Sequence, residues 1–309
     1  MTALFISPRE DPEPWRAAFA RLAPDIFFRA WPEPGPPEEV EYILAWKPPA
    51  EALAGHPNLR VLFWLGAGID WLLDHRDRLP AVPVVRLVDD ALTACMTEYV
   101  VLHVLRHHRR QPELERQQSQ ALWRPLPQTV PWKRSVGIMG LGVLGTDAAR
   151  KLRALRFRLA GWSRTPKALP GVECFHGADG LVPFLARTEI LVCLLPLTPE
   201  TRGIINARTL SALPRGATLI NAARGGHVVE ADLLAALDTG HITHATLDVF
   251  EPEPLPPGHP FWRHPRVTVT PHVASLTDPE VSLPVIVDNI RRHQRGEPML
   301  NQVDLDRGY

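Results

Sequence analysis

The chain has 309 residues, of which 45% are hydrophobic and 22% charged, a balance typical of folded globular proteins. Its 34 basic residues equal its 34 acidic residues, so the formal net charge is zero, which argues against binding to nucleic acid or to a membrane surface by charge. The length exceeds that of one ordinary hydrophobic core, and two domains are therefore expected.

Strand and helix patterns alternate over the first 90 residues, which predicts a small parallel α/β sheet. Strands are predicted at 3–6, 25–28, 40–45, 59–65 and 82–87, with an amphipathic helix at 15–22. A long helix over 96–108 and a polar helical segment over 113–123 follow, and several prolines then interrupt the chain. Because this polar segment gains little by packing on its own domain, 109–130 is predicted to be an arm that embraces a second copy in a homodimer.

A regular strand–helix alternation begins again at Ser135. Strands are predicted at 135–139, 157–162, 190–195, 217–221, 244–247 and 267–270, with helices at 143–155 and 230–239. Six strands are the number in a full doubly wound dinucleotide-binding domain. A last helix, at 279–295, must pack on the first domain because it is too short to form one. The prediction is thus a discontinuous first domain (1–96 and 276–309) into which a second domain (97–275) is inserted.

The glycine pattern that follows the strand at 135–139 is the most informative motif in the chain. Gly140, Gly142 and Gly145 form a G-x-G-x-x-G sequence between a strand and a helix, as in turns that bind a dinucleotide pyrophosphate. The first glycine permits the tight turn, the second lets the backbone approach the phosphates, and the third allows close packing of helix on strand. A purely structural glycine turn is the alternative, which the flanking strand and helix disfavour.

The end of the next strand predicts which dinucleotide is bound. An NAD site places Asp or Glu there for the ribose hydroxyl, whereas an NADP site replaces it with Arg and small polar residues. This chain has Ser163, Arg164 and Thr165, so NADP(H) is predicted to be preferred over NAD(H). The alternative is an ordinary surface arginine at a strand end.

Three ionisable residues follow predicted strands in the second domain: Arg224, Glu253 and His272. Ligands and catalytic groups of open α/β sheets gather beyond the carboxyl ends of the strands. Each residue alone is explained as well by a salt bridge, a buried histidine or a surface carboxylate. Their common placement makes a joint catalytic site the better interpretation.

With these motifs in order, the chain resembles the NAD(P)-dependent D-isomer-specific 2-hydroxyacid dehydrogenases. The resemblance rests on GLGVLG at 140–145, LPLT at 195–198, NAARGG at 221–226, LDVFEPEPLP at 247–256 and TPHVAS at 270–275. Shorter stretches at 45–49, 65–70, 97–106 and 121–126 resemble the glyoxylate/hydroxypyruvate reductase branch. The family fold it implies is a Rossmann dinucleotide-binding domain inserted into a smaller flavodoxin-like substrate-binding domain, both with doubly wound parallel sheets.

The same resemblance implies roles for individual residues. His272 would protonate the substrate carbonyl oxygen, Glu253 would favour the protonated imidazole, and Arg224 would hold the substrate carboxylate. Backbone N–H groups of Gly66, Ala67 and Gly68 would bind the same carboxylate. The substrate would be a small 2-oxo acid, glyoxylate or hydroxypyruvate, and aromatic contacts to it would come from Trp46 and from Trp123 of a neighbouring subunit, although packing explains either tryptophan as well. Contacts to the dinucleotide would come from Gly140, Gly142, Val143, Leu144, Gly145, Ser163, Arg164, Thr165, Leu195, Pro196, Thr201, Ala222 and Asp248, the last of which could instead cap a strand end.

Other functions remain open at this point. The chain could reduce a bulkier 2-oxo acid, act on formate or phosphite, or be a non-catalytic dinucleotide-sensing scaffold. His103 and His107 have the i, i+4 spacing of two zinc ligands on a helix, but with no third ligand a packed or solvated helix face is the better interpretation, and no metal is predicted.

The cysteines and the apolar segments of the sequence indicate the cellular compartment in which the protein is expected. Cys95, Cys174 and Cys193 are far apart and are interpreted as small packing residues in a reducing compartment. No apolar run approaches the ~18–20 residues of a membrane span, and the first residues lack the apolar core of a signal peptide. A cytoplasmic protein is therefore predicted, with no membrane or nucleic-acid partner.

Overall fold

Two compact units make up the structure, a computed structural model that describes residues 1–8 and 10–305. The first unit combines Met1–Leu92 with the chain from Leu276 onward, and the second is Thr93–Ser275. The chain first passes from one unit to the other between Leu92 and Thr93, within the first turn of the helix Asp90–His108. The assignment of substrate binding to the first unit and of dimerisation to 109–130 stays a prediction.

Strands and helices alternate along most of the chain. The strands are β1 (Thr2–Ile6), β2 (Phe27–Ala30), β3 (Val40–Ala45), β4 (Val61–Trp64), β5 (Val84–Arg86), β6 (Ser135–Met139), β7 (Arg158–Ser163), β8 (Val172–His176), β9 (Ile190–Cys193), β10 (Ala217–Asn221), β11 (Ile242–Leu247) and β12 (Val267–Val269). The α-helices are α1 (Glu13–Leu22), α2 (Asp70–Asp74), α3 (Asp90–His108), α4 (Gln111–Ser119), α5 (Val143–Ala154), α6 (Gly177–Leu185), α7 (Ala207–Ala212), α8 (Glu230–Asp238) and α9 (Pro279–Gln294).

The first unit is built on a five-stranded parallel sheet in the order β2-β1-β3-β4-β5. β1 is buried on both faces, as expected for a parallel strand covered by helices. One face packs against α1 and α9, through side chains such as Phe19, Leu283 and Ile290. The tail helix therefore belongs to the first unit. The strand order reverses between β1 and β3, and Trp46 directly follows β3 at that point.

The second unit has a seven-stranded parallel sheet in the order β12-β11-β10-β9-β6-β7-β8. Both sheets thus confirm the predicted α/β fold. The order reverses at β6, and the glycine motif follows that strand, which is where dinucleotides bind in doubly wound sheets.

The sequence prediction of six strands in the second unit was wrong by one. β8 was missed because it lies at the sheet edge, where its side chains are partly exposed and no buried apolar run marks it. α3 begins at Asp90 rather than 96 because the carboxylate of Asp89 accepts the Leu92 N–H, at 2.7 Å, and caps the helix.

The polar helix of the predicted arm is shorter than expected. Arg110 adopts a left-handed conformation that separates α3 from α4, and α4 ends at Ser119 instead of 123. From residue 120 to 130 the chain is almost entirely exposed.

The interpretation of all three cysteines as packing residues was also wrong for one of them. Cys193 is buried and Cys174 is partly buried, but Cys95 is exposed on α3, whose core contacts come from other side chains such as Met96 and Val100. Over residues 1–8 and 10–305, no helix is both long and apolar enough to cross a bilayer.

Candidate active site

His272 and Glu253 form an ion pair in the second unit. Nδ1 of His272 lies 2.9 Å from Oε2 of Glu253, and both side chains are partly buried. The second carboxylate oxygen accepts the N–H of Phe250 at 3.1 Å, which fixes the orientation of the carboxylate. The carboxylate beside Nδ1 fixes the orientation of the ring and leaves Nε2 as the nitrogen for proton transfer. The pair therefore has the chemistry of an oriented general acid.

The turn that carries His272 is held by the buried carboxylate of Asp248. Oδ1 accepts the Thr270 hydroxyl at 2.6 Å and the Val273 N–H at 2.9 Å, and Oδ2 accepts the Ala274 N–H at 2.9 Å. His272 itself has a φ of 56°, a left-handed conformation that is rare for residues other than glycine. Strained backbone of this kind concentrates at functional sites. Asp248, predicted as a dinucleotide contact or a strand-end cap, thus organises the His272 turn, and its contact with the nicotinamide stays a prediction.

Arg224 lies three residues beyond β10 on a loop with two backbone anchors. Its carbonyl accepts a bond from Nδ2 of Asn221 at 2.9 Å, and its own Nη1 donates to the Ala223 carbonyl at 2.7 Å. A Cβ added to Gly225 would lie 2.1 Å from the carbonyl carbon of Phe250. Only glycine permits this approach, so the Arg224 loop packs directly against the loop that carries Glu253. Arg224, Glu253 and His272 are thereby brought to neighbouring loops of one sheet edge.

The glycine motif has the geometry of a pyrophosphate cradle. A Cβ on Gly145 would lie 1.9 Å from the carbonyl oxygen of Gly140, so helix and turn pack too closely for any other residue. A Cβ on Gly142 would meet nothing within 4 Å, which leaves open space beside the turn. α5 starts at Val143 with no side-chain cap, so the N–H groups of its first turn, including that of Leu144, point to this space. These residues fit a dinucleotide.

The residues predicted to select the dinucleotide lie at the end of β7 and directly after it. Ser163 is buried and its hydroxyl donates to the Thr165 carbonyl at 2.8 Å, whereas Arg164 is exposed. The pKa of Glu200 is lowered by the Thr198 hydroxyl, then by its own backbone N–H, and further by the positive charge of Arg164. Arg164 therefore lies within electrostatic reach of the loop after β9.

That loop, residues 195–201, carries three further predicted dinucleotide contacts. Leu195 is buried, while the Thr201 hydroxyl donates to the Pro196 carbonyl at 2.7 Å and accepts the N–H of Thr198 at 2.8 Å. Ala222, also predicted, is buried directly after β10. Their contacts with a dinucleotide remain predictions.

Apart from Trp123, the remaining predicted substrate contacts, Trp46 and residues 66–68, lie in the first unit. A Cβ on Gly66 would lie 2.2 Å from the Trp46 ring, so the indole packs flat on this glycine. The Gly66 N–H already bonds the Trp64 carbonyl at 2.9 Å. Nη1 of Arg86 donates to the Ala67 carbonyl at 3.2 Å, and Nε1 of Trp64 donates to that of Gly68 at 2.8 Å. The predicted contact from the Gly66 N–H is therefore wrong, because that group is already bonded, and Ala67 and Gly68 remain the candidates of this loop for N–H contacts to an anion.

Trp123 is 98% exposed, beyond the end of α4. A fully exposed indole is unusual in a folded chain, since burial of such a ring stabilises a protein by several kcal/mol (about 25 cal/mol per Å²). Its exposure agrees with an arm but does not identify what covers it.

The two helical histidines singled out in the sequence are buried against the sheet. Nε2 of His107 lies 2.9 Å from the Thr246 hydroxyl, and the His103 ring packs in a tilted arrangement against Tyr99, with 4.3 Å between the ring centroids. Burial lowers the pKa of His103 to about 4 and also depresses the pKa of His107. In the described part of the chain, no three His, Cys, Asp or Glu side chains gather as a metal site would require.

One buried residue of the site was missed by the sequence reasoning. His227 is fully buried, three residues after Arg224, and its ring lies between the Arg224 loop and the 195–201 loop. The sequence contains one signal, an ionisable residue directly after the two glycines of the NAARGG motif, but the partners of its ring are backbone carbonyls and leave no trace in the sequence.

Comparison with known proteins agrees with this geometry. Residues 101–274 match the family described as D-isomer specific 2-hydroxyacid dehydrogenase, NAD binding domain. The chain is 45% identical to glyoxylate/hydroxypyruvate reductase A of Yersinia enterocolitica, with 100% of both chains covered. Two solved structures are similar over 100% of this chain. One, a D-isomer specific 2-hydroxyacid dehydrogenase of Xanthobacter autotrophicus Py2 in complex with NADPH and MES, is 49% identical with a TM-score of 0.95 and 99% of its chain covered. The other, an NADPH-dependent glyoxylate/hydroxypyruvate reductase of Sinorhizobium meliloti in complex with NADP and sulfate, is 41% identical with a TM-score of 0.94 and 100% of its chain covered.

Proposed function

Since the chain belongs to the D-isomer-specific 2-hydroxyacid dehydrogenases, we propose that it is an NADPH-dependent reductase of small 2-oxo acids, converting glyoxylate to glycolate and hydroxypyruvate to D-glycerate. The observation that carries the proposal is the His272–Glu253 pair, 2.9 Å apart, with the loop that carries Glu253 packed against the Arg224 loop. Full-length identity of 45% to a glyoxylate/hydroxypyruvate reductase supports the choice of substrate class.

His272 is the proton donor in this proposal. A bound NADPH would supply the hydride that the carbonyl carbon of the substrate receives. Nε2–H of His272 gives its proton to the carbonyl oxygen, so that the C=O bond becomes a CH–OH group and the imidazole is left neutral. Glu253 holds the ring through Nδ1 and stabilises its protonated form before the transfer. The reverse reaction uses the same ring as a base.

Arg224 is proposed to bind and polarise the substrate. Its planar guanidinium suits bidentate contact with a carboxylate, and its positive charge stabilises the oxygen at which negative charge develops. In the first unit, the N–H groups of Ala67 and Gly68 are proposed carboxylate ligands, and the Trp46 ring a wall that favours small side chains.

Preference for NADP(H) is proposed to come from Arg164. The end of β7 carries no acidic residue, and Arg164 with Ser163 and Thr165 offers a cation and hydroxyl groups to a ribose 2′-phosphate. NADPH in the similar Xanthobacter structure and NADP in the similar Sinorhizobium structure support this choice.

A homodimer is proposed from the arm. The exposed segment 120–130, with Trp123 at 98% exposure, would be covered by a second copy of the chain. Trp123 would then contribute to the substrate site of the partner subunit and help to exclude larger 2-oxo acids.

Replacement of the proton donor tests the proposal. His272→Asn should lower kcat by ~10²–10⁴-fold, the usual contribution of a general acid, with an unchanged dissociation constant for NADPH. Glu253→Gln should lower kcat less and raise the solvent isotope effect on kcat, because proton transfer becomes slower. His241→Asn is the matched control, since that ring only bonds the Leu210 carbonyl, at 2.9 Å. Near-normal turnover of glyoxylate by His272→Asn would refute the catalytic assignment.

A further inference from the structure

The buried imidazole of His227 joins the two loops on which the proposed reaction depends. His227 is 0% exposed and ends the short turn Gly225–His227 that follows Arg224. Its Nδ1 lies 3.1 Å from the Arg224 carbonyl and its Nε2 lies 3.2 Å from the Pro196 carbonyl. A single side chain thus reaches the backbone of the substrate loop and that of the 195–201 loop.

Both carbonyls already belong to fixed networks. The Arg224 carbonyl also accepts from Nδ2 of Asn221, at 2.9 Å, and the Pro196 carbonyl also accepts from the Thr201 hydroxyl, at 2.7 Å. A displacement of either carbonyl therefore disturbs side chains that the dinucleotide or the substrate is expected to contact.

The backbone next to the ring reinforces the connection. The His227 carbonyl accepts the Ile205 N–H at 2.9 Å, and the Gly226 carbonyl accepts the Gly203 N–H at 2.8 Å. These bonds anchor the far end of the 195–205 segment. Near its start, the His227 ring reaches the Pro196 carbonyl and Gly226 lies close to the Leu197 side chain. The imidazole thus supplies a polar contact from this turn to the part of the loop that carries Pro196.

The contact between the two loops depends on the N–H donors that the His227 ring carries. Both partners are carbonyl oxygens, which only accept, and a neutral imidazole carries a single N–H. Because the ring is fully buried, no water can take the place of its N–H when the side chain is replaced, and each carbonyl then keeps only its other donors.

From these contacts we infer that His227 is a positioning residue that couples dinucleotide binding at the 195–201 loop to the placement of Arg224. A dinucleotide that orders the Pro196 backbone would, through the imidazole, also order the Arg224 backbone for an anionic substrate. Coupling between two ligands is reciprocal, so a substrate analogue should strengthen dinucleotide binding by the same factor. This inference rests on the proposed function, in that Arg224 binds the substrate carboxylate and the 195–201 loop binds NADPH.

Equilibrium binding tests the inference without turnover. The dissociation constant of NADPH would be measured by energy transfer from tryptophan, with and without saturating oxalate as the analogue of the 2-oxo acid. In the wild type, oxalate should tighten NADPH binding ~5–10-fold, within the usual range of coupling between sites. His227→Leu, which fills much of the same volume without hydrogen bonds, should reduce this factor toward one.

Two further variants separate coupling from general damage. His227→Gln, which keeps one N–H donor, should recover part of the factor and raise the KM for glyoxylate less than His227→Leu does. His241→Leu removes a side-chain bond to a carbonyl elsewhere in the second unit and should leave the factor unchanged. If His227→Leu does not fold, His227→Met, which also lacks an N–H donor, takes its place, and an unchanged factor in that variant would overturn the inference.

The outcome also separates this inference from the proposed function. An unchanged factor in a folded His227→Leu protein, or a wild type in which oxalate has no effect on NADPH binding, overturns the role of His227. Wild-type turnover of glyoxylate with NADPH would still establish the proposed function in either case. Absence of turnover with intact coupling would refute the proposed function and leave His227 as the link between the two loops.

Discussion

Asp248→Asn is the substitution whose effect can be worked out most fully from the contacts. The carboxylate is 0% exposed and accepts three hydrogen bonds, from the Thr270 hydroxyl and from the N–H groups of Val273 and Ala274. An asparagine amide has only one acceptor oxygen. If the NH₂ group replaces Oδ2, the Ala274 N–H loses its acceptor; if it replaces Oδ1, the Thr270 hydroxyl and the Val273 N–H lose theirs. Hydrogen bonds to charged groups contribute ~1.5–3 kcal/mol, and an unsatisfied buried donor costs ~1–3 kcal/mol. The expected loss in the free energy of unfolding is therefore about 2–4 kcal/mol.

Thermal unfolding followed by circular dichroism measures this loss without any ligand. A loss of about 3 kcal/mol corresponds to a fall in Tm of ~6–12 °C for a domain of this size. kcat should also fall at least ~10-fold, because the turn no longer holds His272 against Glu253 in its left-handed conformation. Asp179→Asn, at an exposed carboxylate in the first turn of α6, is the control and should change stability by no more than ~0.5 kcal/mol. An unchanged Tm and kcat in Asp248→Asn would show that the carboxylate does not hold the turn.

Three other perturbations test separate parts of the proposal. Arg164→Asp should shift the ratio of kcat/KM from NADPH toward NADH by at least ~10-fold, since the phosphate contact is lost and a carboxylate repels it; an unchanged ratio contradicts the assignment. Trp123→Ala should raise kcat/KM for 2-oxo acids with bulkier side chains, and deletion of 112–126 should give a monomer by sedimentation; a wild type that is already a monomer at micromolar concentration excludes the arm as a dimer contact. Burial lowers the pKa of His244 from 6.5 to about 4, so the unfolded chain binds a proton that the folded chain resists, and stability should fall as the pH drops below 6.5. Between pH 7 and pH 5 this histidine should lower the free energy of unfolding, measured with denaturant, by ~1–2 kcal/mol. His244→Gln should make the free energy of unfolding depend less steeply on pH, and an equal pH dependence in both proteins refutes the reasoning.

The parts of the site that the sequence predicts are those with a periodic or compositional signal. The glycine motif is visible because a strand and a helix flank it, and Arg224, Glu253 and His272 are visible as ionisable side chains that follow predicted strands. The pairing of His272 with Glu253 was predicted from the family resemblance, and parallel strands that share one edge of the sheet bring the two side chains together. Both parallel sheets follow in the same way from the alternation of apolar runs and helices.

The parts that escape prediction depend on contacts with the backbone. His227 binds two carbonyl groups, which every residue carries, so nothing in the sequence identifies its partners. The three bonds to Asp248 likewise come mostly from N–H groups, and the sequence suggested a contact with the nicotinamide or a strand-end cap. β8 was missed because a strand at the edge of a sheet is only partly buried and shows no continuous apolar run.

Steady-state turnover of the wild-type protein tests the proposed function most directly. Purified protein would be mixed with glyoxylate or hydroxypyruvate and with NADPH or NADH, and the loss of reduced nicotinamide would be followed by absorbance. We predict turnover of both acids, with kcat/KM at least ~10-fold higher with NADPH than with NADH. We also predict glycolate and D-glycerate as products and little turnover of 2-oxo acids with bulky side chains. NADPH binding without turnover of either acid would contradict the proposed function and indicate a dinucleotide-binding protein that does not catalyse this reaction.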